Sequence, residues 1–352
     1  MEKKSIDFLK ELMGASSPSG FETEAQKMVS ARMKEYADRV ETDVLGNVAG
    51  ILNPGGSPRI MFAGHCDEVG LILQHINGDG FLYFQKIGGT YLPALHGQRV
   101  YVLSGNRRVP GVIASRKASG DASSAPKDLK VEGFWIDIGA RDKKEAEKVV
   151  SVGDPVTFAT SLQEMPNGYL LSKGFDDKIA VFTITEIMRR LKKEKYSPAI
   201  FGVSTVQEEL GTRGATTSSF SIAPDIGIAI DVTEASDYPD IDKRVKGEVS
   251  LGKGPVITRG ANINPVLFKL LTETAEEEAI PWQRTASAGP TGTDARAMQI
   301  IRGGVATALI SVPLRYMHTS GEIICLHDVE NIVKLVVSVI KRIKKGMSLL
   351  PF

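Results

Sequence analysis

Thr205-Val-Gln-Glu-Glu-Leu-Gly-Thr-Arg-Gly-Ala215 follows directly on an apolar run, Ala199-Ile-Phe-Gly-Val-Ser204. A short apolar run bounded by a turn signal reads as a buried strand. This one ends on two adjacent carboxylates, Glu208 and Glu209, and then on Gly211 and Gly214. Successive side chains on extended backbone point in opposite directions. Two glutamates in a row are therefore expected to do different jobs, one holding a metal while its neighbour reaches a water or a substrate. Alone, such a pair is more often a solvated strand end running into a turn. Here several other apolar runs also end on residues of metal-ligand type.

Working outward, Asp176 or Asp177 reads as the N-cap of a helix reaching about Lys193, just before the quoted strand. After it come a strand Asp225–Ile230 ending at Asp231, a helix Pro265–Ala279 and a helix Asp294–Ile301. A strand Val305–Ile310 then leads through Ser311–Met317 to His318, and an amphipathic helix Asp328–Lys345 follows. At the other end, helices are expected at Ile6–Met13 and Glu22–Tyr36, with apolar Ala25, Met28, Val29 and Met33 on one face of the second. Val40–Leu52 reads as paired strands around a Gly-Asn turn. Arg59–Ala63 reads as a strand that ends at Gly64-His65-Cys66-Asp67-Glu68.

From about Val69 to about Asn167 the texture changes. Short runs such as Phe81–Phe84, Arg99–Leu103, Val109–Ile113 and Pro155–Phe158 are split by Asn77-Gly-Asp-Gly80, Gly88-Gly89 and Gly105-Asn106, and only Asp142–Val150 looks helical. Many short strands with frequent turns imply a small β-barrel or sandwich. The expected organisation is an α/β, mixed-sheet catalytic domain, 1–69 and 168–352, interrupted by a β-rich, barrel-like assembly domain, 70–167.

The composition is that of an ordinary globular chain: 352 residues, 43 Lys+Arg against 42 Asp+Glu, 42% hydrophobic. Near-zero net charge gives no sign of nucleic acid or an anionic membrane surface as partner, and no apolar stretch approaches the ~20 residues of a membrane span. The N-terminus lacks the apolar core of a signal peptide. Two cysteines, Cys66 and Cys325, make no disulfide framework. A reducing cytoplasm is the default expectation.

His65, Asp67, Asp176, Glu208, Glu209, Asp231 and His318 all fall at element ends, and ligands of open α/β sheets bind outside the carboxyl ends of the strands. His65 and Asp67, two apart, face the same way in an extended segment, so Asp67 can orient the imidazole. Cys66 between them should point away and pack. Two histidines with several carboxylates and no paired cysteines suit zinc, cobalt or manganese rather than a structural cysteine site. The set is large enough for two divalent metals sharing a bridging carboxylate. His75, His96 and His327 are read as structural or surface residues.

Six stretches together resemble the M42 family of dinuclear metallo-aminopeptidases, some of whose members carry an endoglucanase or cellulase label. They are Ala63-Gly-His-Cys-Asp-Glu-Val-Gly70, Gly174-Phe-Asp-Asp-Lys178, Val206-Gln-Glu-Glu-Leu-Gly211, Ala229-Ile-Asp-Val-Thr233, Gly292-Thr-Asp294 and Met317-His-Thr-Ser320. The resemblance implies a zinc-exopeptidase-like fold and an aminopeptidase acting on peptides with a free N-terminus. It implies Asp176 as the bridging ligand, His65 and Asp231 completing one metal site, and Glu209 and His318 the other. Glu208 would be the general base and Asp67 the partner of His65. It further implies a homo-oligomer, a hollow dodecamer built through the inserted domain. The resemblance also has Ala often in place of Gly174 and Arg in place of Lys178, so the wall beside Asp176 is expected to differ.

Two rival readings remain at this level. A glycoside hydrolase could use Glu208 and Asp67 as its carboxylate pair, but leaves the histidines and the other carboxylates without a role. A catalytically silent assembly protein would have no reason to keep the whole ligand set and the base.

Overall fold

The computed structural model describes residues 1–115 and 129–352. Its organising element is a mixed sheet of eleven strands, ordered Arg39–Thr42, Val48–Leu52, Ala199–Thr205, Arg59–His65, Ile226–Glu234, Ala306–Arg315, Glu322–Cys325, Tyr169–Ser172 and Gln163–Glu164. Val256–Gly260 and Gln283–Ser287 pair beside Ala306–Arg315. The four central strands, from Ala199–Thr205 to Ala306–Arg315, are mutually parallel. Parallel strands are covered on both faces and so read as continuous apolar runs, which is why these four stand out in the sequence.

Helix Phe175–Leu191 covers one face, with helices Lys3–Gly14, Thr23–Met33 and Leu326–Arg342 packed around it. Helices Arg213–Ile222 and Asp294–Gln299 cover the other. The first helix comes very close to the sheet at Gly64: a Cβ there would lie 2.7 Å from the Ala180 Cβ. That approach brings the start of the helix, with Asp176, down beside His65. A large apolar core lies between sheet and helices, and Cys66 is part of it, turned away from the polar site as expected.

Between two strands of this sheet the chain leaves to build a closed six-stranded antiparallel barrel, ordered Gly70–Ile76, Leu82–Ile87, Phe134–Asp137, Arg107–Ser115, Arg99–Ser104 and Pro155–Phe158. The barrel has its own apolar core, with Leu71, Leu82, Val102, Ile113 and Ile136 at its centre. Strand Gln163–Glu164 already belongs to the large sheet, hydrogen-bonded to Tyr169–Ser172.

Several local expectations change. The Asp142–Val150 helix shrinks to Lys143–Ala146, capped by the Asp142 carboxylate accepting from the Glu145 N–H. The strand expected to stop at Asp231 runs on to Glu234, so Asp231 sits inside it, paired with Ser311. The strand expected at Val305–Ile310 continues to Arg315. Short outer strands such as Tyr169–Ser172 and Glu322–Cys325, four residues each and away from the parallel centre of the sheet, had no apolar signal strong enough to be seen.

Candidate metal centre

The polar residues singled out in the sequence converge at one place. His65 closes its strand, and its Nε2 lies 3.2 Å from Asp176 Oδ1 and 3.9 Å from Glu208 Oε2. His318 reaches in from the opposite side, its Nε2 3.2 Å from Asp176 Oδ2 and 3.3 Å from Glu209 Oε1. Asp176 therefore stands between the two imidazoles with one oxygen toward each. Two candidate metal-binding triads result, His65–Asp177–Asp231 and Asp176–Glu209–His318; in each, one donor atom per residue lies within 4.8 Å of the others.

Glu208 and Glu209 reach these positions differently from the expectation. The strand stops at Thr205, and both glutamates lie in the turn beyond it, after Gln207 at φ 54°. Strand alternation therefore does not separate them. Their backbone N–H groups both donate to the Asp67 carboxylate, to Oδ1 from Glu208 and Oδ2 from Glu209, each at 3.1 Å. The turn splays the side chains, Glu208 toward His65 and Glu209 toward His318. Asp67 also holds His65: the imidazole Nδ1 sits 3.0 Å from the Asp67 carbonyl oxygen and 3.4 Å from its Oδ1. One buried carboxylate thus fixes three residues of the site.

Neither Asp176 nor Asp177 caps the helix through its side chain. Asp177 Oδ2 accepts from the His65 backbone N–H, and its Oδ1 is buried with no hydrogen-bond partner. Sequence reasoning also missed Glu322 and underused Asp294. Glu322 is buried; its Oε2 accepts from the Asp176 N–H and its Oε1 from the His318 N–H, so one side chain ties together the backbones of two candidate ligands. Asp294 accepts from the Thr205 hydroxyl at 2.6 Å, and its Oδ1 too is buried and unpartnered. His75, His96 and His327 lie outside both triads.

The electrostatics are those of a cation site. Burial raises the Glu208 carboxyl, and the charges of Asp231, Asp294 and Glu209 push it further, to about 9 against the opposing pull of His65. Burial likewise holds Asp177, Asp231 and Glu322 well above the usual carboxylate range. Burial alone would lower the two imidazoles, but carboxylates outweigh it: Asp67 and Asp176 raise His65 well above its ordinary value, and Asp176 and Glu209 raise His318 to about 11. Buried carboxylates crowded this closely must take up either protons or cations. The donor set, two imidazoles with a ring of carboxylates and two buried carboxylate oxygens without a hydrogen-bond partner, fits divalent metals.

Gly174 and Lys178 meet at one carboxylate, that of Glu68. Glu68 accepts from Lys178 Nζ at 2.8 Å and from Lys173 Nζ at 2.6 and 2.7 Å. Its carboxylate fills the space that a side chain at Gly174 would need.

The family model for M42 glutamyl aminopeptidase matches residues 46–335. The lysyl aminopeptidase of Pyrococcus furiosus is 36% identical over 343 residues, covering 96% of this chain and 97% of that protein. The chain belongs to the M42 aminopeptidase family. As a member of it, the protein is a peptide-bond hydrolase. Its fold is that of a TET aminopeptidase from a marine-sediment member of the Thaumarchaeota, with TM-score 0.92, 36% identity and 97% of each chain covered. The TET1 peptidase of Pyrococcus horikoshii, which can assemble into a tetrahedron or a large octahedral shell, matches with TM-score 0.85 and 29% identity over 96% of this chain and all of that one. A Thermotoga maritima protein described as an endoglucanase shares the M42 fold as well, with TM-score 0.78 and 29% identity over 95% and 96% of the two chains.

Proposed function

We propose that this M42 aminopeptidase removes N-terminal residues from peptides at a dinuclear centre held by His65, Asp176, Glu209, Asp231 and His318. The observation that carries the reading is the placement of Asp176 between the two imidazoles, one oxygen toward each. His65 and Asp231 lie on one side of it and Glu209 and His318 on the other. Zinc, cobalt or manganese bound there would polarise the scissile carbonyl and make water a nucleophile near neutral pH.

Glu208 stands beside the centre, near His65 but outside the Asp176–Glu209–His318 group. It takes the proton from the attacking water and returns it to the leaving amine, the work of a general base followed by a general acid. Asp67 holds the His65 ring and pins the turn that carries both glutamates, so it positions and does not react. That same commitment argues against a glycosidase pair: both Asp67 oxygens already accept from backbone and the residue is fully buried. The surplus of carboxylates around the centre suits the positively charged amine of an unblocked peptide. By analogy with the tetrahedral and octahedral shells of the TET1 relative, we take the working form to be a closed homo-oligomer, a dodecamer in its tetrahedral form, assembled through the barrel. Among the described residues no helix is long and apolar enough to cross a membrane, and we place the enzyme in the cytoplasm.

The test uses purified protein against a panel of amino-acid p-nitroanilides and short peptides. Unblocked substrates should be cleaved, N-acetylated ones poorly, with activity abolished by chelator and restored by cobalt, zinc or manganese. Robust cellulose-derivative hydrolysis that survives chelation would overturn the assignment.

A further inference from the structure

The barrel reaches the candidate metal centre at the turn Gly88-Gly89-Thr90-Tyr91 after strand Leu82–Ile87. A Cβ built on Gly89 would lie 2.6 Å from His318 Nδ1 and 2.8 Å from its Cε1. One built on Gly88 would lie 2.9 Å from Glu209 Oε2. The bare backbone of this turn is thus packed against the two residues that face Asp176 from the His318 side. The turn is itself held. Thr90, buried, donates its hydroxyl to the Gly70 and Ile87 carbonyls, and the Tyr91 N–H donates to the His318 carbonyl at 3.3 Å.

His318 needs such support. It sits at φ 61°, in the left-handed region that a non-glycine residue rarely adopts. Its side chain is still 29% exposed, and among the described residues its ring makes polar contacts through Nε2, to Asp176 and Glu209. Glu322 fixes its backbone N–H from the catalytic domain. The barrel turn fixes its backbone carbonyl and walls the Nδ1 edge of the ring.

We propose that the Gly88–Gly89 turn of the barrel is a positioning element of the metal centre, setting the His318 imidazole and the Glu209 carboxylate from outside the catalytic domain. The inference rests on the two-metal reading above. The turn can do this only because its two glycines carry no side chains; a methyl group at 89 must displace either the turn or the ring. Gly89 is the clean probe, since its φ is not in the left-handed region and alanine strains nothing there except the contact with His318. At Gly88, φ 68° would add backbone strain of its own.

The experiment measures metal binding and not turnover. Apo protein is titrated with zinc or cobalt by calorimetry, and bound metal is counted per subunit, for wild type, Gly89→Ala and Gly78→Ala. Gly78 lies in another turn of the same barrel, with open space around it, and is the control. Gly89→Ala should weaken one of two metal equivalents by about 10–100-fold, the usual effect of disturbing a group that orients a ligand. Gly78→Ala should bind as wild type. If wild type binds two equivalents and Gly89→Ala binds both unchanged, the turn positions nothing and the two-metal reading stands. If wild type binds fewer than two, that reading fails and this inference with it. A second comparison separates positioning from general packing: in a His318→Ala background there is no ring to displace, so adding Gly89→Ala should leave metal binding and melting temperature unchanged. An equal drop in melting temperature in both backgrounds would overturn the proposal. Should Gly89→Ala alone fail to fold, recovery of folding in the double variant supports it and failure of both overturns it.

Discussion

Glu208 and Glu209 are neighbours in the chain, are pinned by the same Asp67 carboxylate, and face different imidazoles. They should therefore fail differently. Glu208→Gln keeps size and hydrogen-bonding reach but cannot take a proton. Since general acid–base catalysis contributes about 10²–10⁴-fold, turnover should fall by at least that range with metal content near wild type. Glu209→Gln should lose metal together with activity and be partly rescued by added metal, which should not rescue Glu208→Gln. Metal analysis and turnover on both variants at low and high added metal make the comparison. Loss of metal by Glu208→Gln with retention by Glu209→Gln would reverse the roles. At this scale the sequence was informative about which residues meet and poor on how. The residue types and their order along the chain were enough to gather the set, because each lies at or near the end of an apolar run. Strand alternation gave a wrong reason for the divergence of the two glutamates, because the turn starts at Val206. Glu322 and the second carboxylate of the Asp176–Asp177 pair act through backbone N–H groups brought together from distant segments, and no local pattern marks that.

At the scale of elements, the junction between barrel and sheet turns on Glu68. It receives Lys173 and Lys178 from the catalytic domain, the Thr157 hydroxyl from barrel strand Pro155–Phe158, and the Ser17 N–H from the N-terminal segment. Burial would raise this carboxyl, but the two ammonium groups outweigh it and hold it at about 2. A folded-state value below the unfolded one means that the ionised form stabilises the fold. That contribution is fully present above the ordinary value of 4.5 and is lost as pH falls toward 2. Glu68→Gln leaves two buried ammonium groups without their anion and should cost about 3–5 kcal/mol, read by denaturant unfolding near neutral pH. Its stability should also vary less between pH 4.5 and 2 than that of wild type. A wild-type unfolding profile for Glu68→Gln would show that the cluster does not hold the junction. The elements themselves were legible wherever burial on both faces makes an unbroken apolar run, as in Arg59–His65 and Ala199–Thr205. The short strands Gln163–Glu164 and Tyr169–Ser172 were not, because they have two and four residues and the second takes its place by pairing with the distant Glu322–Cys325.

For the whole molecule, the change of texture near residue 69 coincides with a real change of architecture, a closed barrel with a core of its own. We expect the barrel to be separable. Because Gln163–Glu164 is paired into the large sheet, the excision should run from Leu71 to about Ser161. Replaced by a short linker, this should leave a folded α/β domain of smaller assembly size by light scattering. If the truncated protein kept the full-length oligomer, the barrel would not be the assembly element. Since the Gly88–Gly89 turn leaves with it, the remaining domain should also bind its second metal poorly.

The order of strands in the large sheet has a consequence for the protein's birth. Ala199–Thr205 inserts between Val48–Leu52 and Arg59–His65, which are made far earlier, and His318 and Glu322 come close to the end of the chain. Domains fold as units during synthesis at about 5–20 residues per second. The barrel is complete once Phe158 has emerged, while the candidate centre still lacks Asp176, Glu208, Glu209, Asp231 and His318. On the order of ten seconds or more then passes at that rate before the last residue of the proposed centre exists. With the centre as proposed, the barrel can fold while the catalytic half is still unable to cut, and an interrupted chain that stops short of His318 is expected to be an inert product and not an uncontrolled peptidase.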